Sequence, residues 1–403
     1  MKKTTSYVWV DEPQAVRDLA VRLAGALRVA LDTEFIGEGL YYPKLCLVQI
    51  AAAALPAVNL LDPVADVDLR PVMRTLAQAD CEIVMHAPRQ DVEVLHQQYG
   101  LRFPHLFDTQ VASAFLGYGD QPSLPLLLHD VLHIVTSKGE RFTNWAQRPL
   151  SDAQLEYAAA DVAWLLPLRV RLAEQLSARG RMQWFDDEMA QLAEVDFTIR
   201  DDRELWRRVS DRRGLKRRGL AILRELAATR ERLAREANKP RESIAPDRLL
   251  LQLAHTAPAS ERELPRLRNW KPPATQTVNA LIAAVQRGVE TPEADLPEEE
   301  RGSMPPPEAG ALSDLLAAWL KIVASREQIA SPLLALRSEL DALARWSIET
   351  GGRAEPPPLR FLAGWRYEFV GRDLTDIALG RKAIGLHDEP QSVIALKRQQ
   401  RLM

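Results

Sequence analysis

Short apolar runs that alternate with amphipathic segments fill the first 195 residues, and this pattern limits the possible folds most strongly. Four runs are predicted to be buried strands, because they are short, rich in branched or apolar residues and bounded by Pro, Asp or Gly. These runs are Val29–Phe35, Leu45–Ala52, Ala57–Leu61 and Glu82–His86. The first three follow each other through short connections, as in a meander. Helical periodicity is present at Gln14–Ala24, Leu69–Gln78, Val92–Tyr99, Thr109–Leu116, Pro125–Val135 and from Asp152 to about residue 178. The pattern predicts an α/β domain over 1–195, with a mixed sheet flanked by helices.

The composition changes after residue 196. From Arg200 to Arg241 the chain has 15 Lys or Arg against 7 Asp or Glu, and apolar helical stretches follow without evident strands. We therefore expect a small all-α domain over 203–289. Residues 290–310 are rich in Pro and Glu and predict a flexible linker, because they offer little apolar surface to bury. A second helical domain is expected over 311–386, followed by a disordered polar tail over 387–403.

The bulk properties narrow the class of protein. The formal net charge is −3, so a nucleic-acid partner would need a local basic surface. Cys46 and Cys81 lie in separate apolar runs and predict buried, reduced thiols. No signal peptide and no run of about 18 apolar residues is visible, so we expect no membrane span and a cytoplasmic protein. The sequence gives no sign of an obligate protein partner.

Two acids follow the first apolar strand. Asp32 and Glu34 are two positions apart, so in a strand their side chains point to the same face. Burying two neighbouring acids is costly unless a cation compensates them. A bare D-x-E is nevertheless common, and a strand that ends in solvent could carry both acids incidentally.

Two further groups of residues follow at a distance. Asp91 comes after the strand Glu82–His86, where it could equally be a helix N-terminal acid favoured by the helix dipole. Tyr157 and Asp161 are four positions apart and share one helix face, with three alanines between them that allow another element to approach closely. A packed tyrosine and a surface acid are the alternative interpretation.

Taken together, the three groups form the ordered pattern of the DEDD exonucleases of the tyrosine subclass. The surrounding sequence resembles the ribonuclease D family almost continuously over residues 26–170. The segments that carry the resemblance are LDTEF, YYPKLCLVQIA, NLLDP, HAPRQDVEVL, FDTQVASAFLG and NWAQRPLSDAQLEYAAADVAWLL.

This resemblance implies an RNase H-like domain with two divalent metal ions, Mg²⁺ or Mn²⁺. By it, Asp32, Glu34 and Asp161 would hold the metal that binds the attacking water, and Asp32 would bridge to a second metal supported by Asp91. Tyr157 would orient that water or help to deprotonate it. The implied activity is hydrolysis of RNA from the 3′ end, releasing 5′-mononucleotides, with tRNA precursors as substrates. A 3′–5′ DNA exonuclease and a non-catalytic RNA-binding scaffold remain alternatives.

Other residues are candidates for RNA contacts. Phe35 could stack on a terminal base or pack in the core. Lys138, Arg141 and Arg148 lie in a loop-like stretch before the last helix of the domain and could contact the RNA backbone.

The segment 203–289 resembles the helical HRDC domain through LAATRERLAREANKP and IAPDRLLLQLAHTAP, and 311–386 resembles a second such domain through FLAGWRYEFVGRDLTDIALG. This resemblance implies nucleic-acid binding, although a solvated basic face would show the same charges. The candidate phosphate contacts are Arg212, Arg213, Lys216, Arg217 and Arg218.

Overall fold

A six-stranded mixed sheet forms the centre of the first domain, in the order β1-β4-β3-β2-β5-β6. The computed structural model describes residues 5–78, 80–136, 143–195, 201–212, 214–263, 274–298, 306–385 and 395–398. The strands are β1 Tyr7–Val10, β2 Arg28–Ile36, β3 Lys44–Ala52, β4 Val58–Leu61, β5 Glu82–Met85 and β6 Leu106–Asp108. Strands β2, β3 and β4 pair antiparallel as a meander, and the other pairs are parallel. The four predicted strands and the mixed sheet are confirmed.

Strands β1 and β6 were not predicted. They contain four and three residues and lie at the two edges of the sheet. So short a run shows no clear periodicity in the sequence, and only pairing with a longer neighbour defines it as a strand.

Helices cover both faces of this sheet. They are α1 Pro13–Leu23, α2 Arg70–Leu76, α3 Arg89–Tyr99, α4 Thr109–Ala114, α5 Leu124–Leu132, α6 Asp152–Ala163, α7 Leu165–Ala178 and α8 Met182–Ala193. Helices α1 to α3 pack on one face through a core that includes Val29 and Leu31. Helices α4 to α8 pack on the other face, where Ala30 points. The alternation along β2 therefore assigns Asp32 and Glu34 to the face covered by α4 to α8.

The C-terminal half contains two similar helical units. The first has α9 Arg217–Ala237, α10 Arg241–Ile244, α11 Asp247–Thr256 and α12 Thr275–Val289. The second has α13 Pro307–Glu327, α14 Ser331–Leu334, α15 Arg337–Thr350, α16 Gly364–Arg366 and α17 Arg372–Ala378, with a π-helical turn at Tyr367–Gly371. The first three helices of each unit begin ninety positions apart. This repeat is not evident from the letters of the sequence.

Two details of this half differ from expectation. Helix α13 begins at Pro307, inside the segment predicted as a linker, because proline suits the first turn of a helix. Residues Ala395–Arg398, inside the tail predicted to be disordered, form strand β8 antiparallel to β7 Lys382–Gly385. Disorder is therefore wrong for these four residues, since pairing with a nearby strand satisfies backbone groups even in a polar segment.

The two helical units join the first domain differently. The first unit has its own core around Trp206, Leu223 and Leu250. The second unit shares one continuous core with the α4–α8 face of the sheet. Trp184 stacks on Trp365 across this boundary, with ring centroids 4.7 Å apart.

The structure also describes the state of the two cysteines and the length and polarity of the helices. Cys46 and Cys81 are buried and free of disulfides, as predicted. Among the helices that the structure describes, none is long and apolar enough to cross a lipid bilayer.

Candidate active site

Strand β2 and helix α6 bring three carboxylates together. Asp32 and Glu34 project from β2, and Asp161 projects from α6, which packs across β2, β3 and β4. Ala158 and Ala159 on α6 are fully buried, and their small side chains let the helix approach the sheet closely. One carboxylate oxygen of each acid lies within 4.8 Å of the other two. The structure thus unites acids more than a hundred residues apart in the chain.

The Asp32 carboxyl lies where its charged form is disfavoured by burial and by neighbouring acids. Burial raises its pKa well above the ordinary value, and the charges of Asp91, Asp161 and Glu34 raise it further. A backbone hydrogen bond from Thr33 only partly opposes these effects. The ionised form of Asp32 therefore needs a positive charge nearby.

Asp91 lies beside this group rather than within it. It occupies the first turn of α3 and is 9% exposed. The Thr33 hydroxyl donates to Asp91 Oδ1 at 2.5 Å. Burial raises the pKa of Asp91 to about 6, although the Thr33 hydrogen bond lowers it. Sequence reasoning missed Thr33, whose position between Asp32 and Glu34 sends its side chain to the opposite face of β2.

Tyr157 accompanies Asp161 on α6. Burial raises the pKa of its hydroxyl, and so do the negative charges of Asp161, Glu34 and Asp32 and its hydrogen bond to Asp161. Its ring lies 6.1 Å from that of Trp145, which is 2% exposed. The hydroxyl is thus held in its protonated form next to the carboxylates.

The donor set at this site suits a divalent metal ion. Asp32, Glu34 and Asp161 offer only hard oxygen ligands, the kind that Mg²⁺ and Mn²⁺ prefer. A cation would offset the repulsion that raises the pKa of Asp32. Within the described parts of the chain, this is the one group of three or more potential ligands. The residues present therefore fit the metal that the sequence predicts.

Of the residues predicted to contact RNA in the first domain, the structure describes some and leaves others outside the described ranges. Phe35 is half-buried and packs against the core on the α1–α3 face, on the other side of the sheet from Asp32 and Glu34. The packing alternative therefore describes it better, because its ring contacts this core. Lys138 and Arg141 lie outside the described residues, as does Arg213 of the helical half.

Arg148 has a structural role that the sequence did not reveal. Its Nε donates to Asp62 Oδ2 at 2.7 Å, and one Nη2 hydrogen bond reaches Asp62 Oδ1. Its other N–H groups donate to the carbonyls of Cys46, Trp145 and Gln147. All five N–H donors of the guanidinium are thus used within the protein. A phosphate contact by Arg148 stays a prediction, and in this structure its guanidinium holds the loop to the sheet.

The basic residues before and at the start of α9 make contacts within their own unit. Arg217 and Arg218 share the carboxylate of Glu293 and also donate to carbonyls at the end of α12 and beyond it. Arg212 donates to a carbonyl one turn earlier. Lys216 is exposed at the N-cap of α9. Phosphate contacts by these four residues stay a prediction, since both arginines at the start of α9 already hold this unit together.

Two buried polar residues near the site were not singled out as site residues. Gln49 on β3 is fully buried, and neither its amide nitrogen nor its amide oxygen has a hydrogen-bond partner. The signal was a single uncharged polar residue within an apolar strand. Asp108 accepts from the N–H groups of Ala87 and Gln110 and caps helix α4. Burial raises the pKa of Asp108 to about 6.

Comparisons with known proteins agree with this geometry. A family model described as 3′–5′ exonuclease matches residues 7–177, and the HRDC domain model matches residues 219–285. Ribonuclease D of Bartonella henselae is 36% identical over 90% of this chain and 89% of its own length. Ribonuclease D of Acidiphilium cryptum is 35% identical over 98% of this chain and 100% of its own length.

A solved structure extends the likeness to the fold. The crystal structure of Escherichia coli RNase D, described as an exoribonuclease involved in structured RNA processing, matches with a TM-score of 0.78 at 26% identity. The match covers 92% of this chain and 98% of that chain. Identity, coverage and fold together show that this chain belongs to the ribonuclease D family of 3′–5′ exoribonucleases.

Proposed function

We propose that this exoribonuclease depends on divalent metal ions and matures the 3′ ends of tRNA precursors, releasing 5′-mononucleotides. Asp32, Glu34 and Asp161 would hold one Mg²⁺ or Mn²⁺, and Asp32 and Asp91 would support a second. The observation that carries this proposal is the approach of three carboxylates to within 4.8 Å at a half-buried site.

The chemistry divides between the metal ions and the chain. Bound divalent metal ions would activate a water molecule and stabilise the leaving 3′ oxygen. The chain contributes the ligand positions: β2 fixes Asp32 and Glu34 on one face, and α6 delivers Asp161 to them. Asp91 is held by the Thr33 hydroxyl, so its carboxylate is oriented before substrate arrives.

Tyr157 is proposed to orient the attacking water by donating a hydrogen bond. Its pKa is raised by burial and by the surrounding carboxylates, which supports a neutral hydroxyl rather than a phenolate base. Of the two roles considered for Tyr157, orienting the water or deprotonating it, we therefore propose orientation, because a group that stays protonated can donate a hydrogen bond but cannot abstract a proton.

The substrate assignment is supported by the relatives and by the architecture. The Escherichia coli protein processes structured RNA by its description, and this chain matches it over nearly its whole length. Two helical units attached to one catalytic domain would also raise the effective concentration of a structured RNA near the carboxylates. A folded RNA with a short single-stranded 3′ end fits such an arrangement.

The test is to incubate the protein with 5′-labelled tRNA precursor, a matched single-stranded RNA and a matched DNA, each with Mg²⁺, Mn²⁺ or EDTA. We expect stepwise shortening of RNA from the 3′ end and mononucleotide release with metal only. Asp161→Asn serves as the inactive control. Equal hydrolysis of DNA would favour a general exonuclease. Binding without any mononucleotide release would favour a scaffold.

A further inference from the structure

Gln49 lies on β3, an inner strand of the sheet, and its side-chain amide forms no hydrogen bond within the protein. The residue is 0% exposed, and both Nε2 and Oε1 lack a hydrogen-bond partner. Buried polar groups in folded proteins are almost always hydrogen-bonded, because an unpaired amide loses its water without compensation. An orphaned amide at this depth therefore needs a functional explanation.

The strand register identifies the group that Gln49 faces. Gln49 on β3 pairs directly with Asp32 on β2, and with Leu60 on its other side. Directly opposed residues of antiparallel strands point to the same face, with Cβ atoms about 5 Å apart. Its neighbours two positions away along β3 are Leu47 and Ala51, which are apolar. Among these four neighbours only Asp32 can form a hydrogen bond.

The residues that helix α6 buries next to the sheet are mostly apolar, and the one buried polar side chain, Gln154, is already hydrogen-bonded to Ser151 and Thr143. Helix α6 covers this face of β3, and the side chains that it buries next to the sheet include Ala158, Ala159 and Val162. None of these three can accept or donate a side-chain hydrogen bond. Of the two residues paired with Gln49 across the sheet, Asp32 is therefore the one with a side-chain hydrogen-bond acceptor.

We infer that Gln49 is a positioning residue that donates from Nε2 to the Asp32 carboxylate when the site holds its metal ions. The inference rests on the proposed metal dependence. A neutral amide can fix the orientation of a metal-ligating carboxylate without adding a positive charge that competes with the metal. Hydrogen-bond partners of metal ligands act in this way, and their loss typically weakens metal binding about 10- to 100-fold.

The experiment compares metal binding with stability in the full-length protein. Gln49→Met keeps the length and unbranched shape of the side chain and removes both polar atoms. Mn²⁺ alone is titrated into RNA-free protein and followed by electron paramagnetic resonance, and the melting temperature is measured in EDTA. We expect Mn²⁺ affinity to fall about tenfold or more. The metal-free melting temperature should stay the same or rise, because an unsatisfied amide is removed.

Ile50→Val provides the matched control. Ile50 is the next residue on β3 and is equally buried, but it faces the opposite core. This variant should lower the melting temperature slightly and leave Mn²⁺ affinity unchanged. Gln49→Leu, with a different shape, guards against a packing defect specific to methionine.

The outcomes separate the two proposals. Absence of Mn²⁺ binding by the wild-type protein would contradict the proposed metal dependence itself. Wild-type binding that is unchanged in both Gln49 variants would overturn the positioning role alone. A large loss of metal-free melting temperature in both variants would assign the amide to structure and would equally overturn it.

Discussion

Asn238 and Gln328 occupy equivalent places ninety positions apart, and each contacts the catalytic domain. Each residue follows a 21-residue helix and adopts a left-handed backbone conformation, with φ of 46° and 51°. Asn238 Oδ1 accepts from the Tyr42 N–H at 2.9 Å, and the Gln328 carbonyl accepts from Arg181 Nη1 at 3.1 Å. The same end of a repeated helical unit therefore docks twice on one domain.

The two contacts differ in chemistry. Near Asn238 the interface is polar: the Tyr41 hydroxyl donates to Glu231, and Arg241 pairs with the same carboxylate at 2.8 Å. Near Gln328 the interface is part of the shared core. Separating polar contacts in water costs little free energy, because water replaces the partners. Exposing an apolar core to water costs much more. The first unit is therefore the easier of the two to displace.

Gly117→Ala should disrupt the docking of the second unit. A Cβ on Gly117 would lie 2.8 Å from Gln328 Cβ, and φ of this glycine is +84°. Gly119→Ala is the control, since Gly119 also has a positive φ but nothing within 4 Å of its Cβ position. We expect Gly117→Ala to lower the free energy of unfolding by about 1–3 kcal/mol more than the control does. Equal losses in urea unfolding would contradict the close contact.

Asp161→Asn should separate activity from stability. The amide retains an acceptor for the Tyr157 hydroxyl, but it removes a charge that raises the pKa of Asp32. We expect RNA hydrolysis to fall at least about a thousandfold, because a metal ligand is lost. The melting temperature in EDTA should rise. Wild-type hydrolysis by this variant would disprove the ligand assignment.

Tyr157→Phe should lower turnover more than RNA binding. The substitution keeps the ring against Trp145 and removes only the hydroxyl. Loss of one oriented donor at a reacting site typically costs about a hundredfold in rate. RNA affinity, measured with Ca²⁺ replacing the catalytic metal, should change little. Weaker binding at an unchanged single-turnover rate would instead indicate a packing role.

Asp108→Asn should change the pH dependence of stability. Burial raises the pKa of Asp108 from 3.8 to about 6 in the folded protein. The folded state therefore binds more protons than the unfolded state between these values, and the contribution of Asp108 to stability falls as the pH rises through that window. The asparagine still accepts from Ala87 and Gln110, so it keeps the cap.

Urea unfolding in EDTA at pH 4 and pH 8 measures this difference. At pH 8 the free energy of unfolding of the Asp108→Asn variant should exceed that of the wild-type protein by on the order of 2–3 kcal/mol. At pH 4 the two proteins should be nearly equal. A gap of the same size at both pH values would show that the charge of Asp108 is not responsible.

The sequence predicted the carboxylates because their pattern is local and ordered. Strand alternation places Asp32 beside Glu34, and helical spacing places Tyr157 beside Asp161. The internal contacts of Arg148 could not be predicted in this way, since its partners Asp62 and Cys46 lie 86 and 102 positions away and only the folded chain brings them near. Gln49 escaped notice for the same reason: its lack of partners is visible only in three dimensions.

The shared core has a consequence for biosynthesis. Phe115 of the catalytic domain packs on Trp365 of the second helical unit, which is made much later than the domain it covers. A chain cut short by a premature stop would carry a complete set of carboxylates on a domain with an uncovered apolar face. Such a face attracts chaperones and proteases. Quality control would thus remove an unfinished nuclease that lacks its second helical unit.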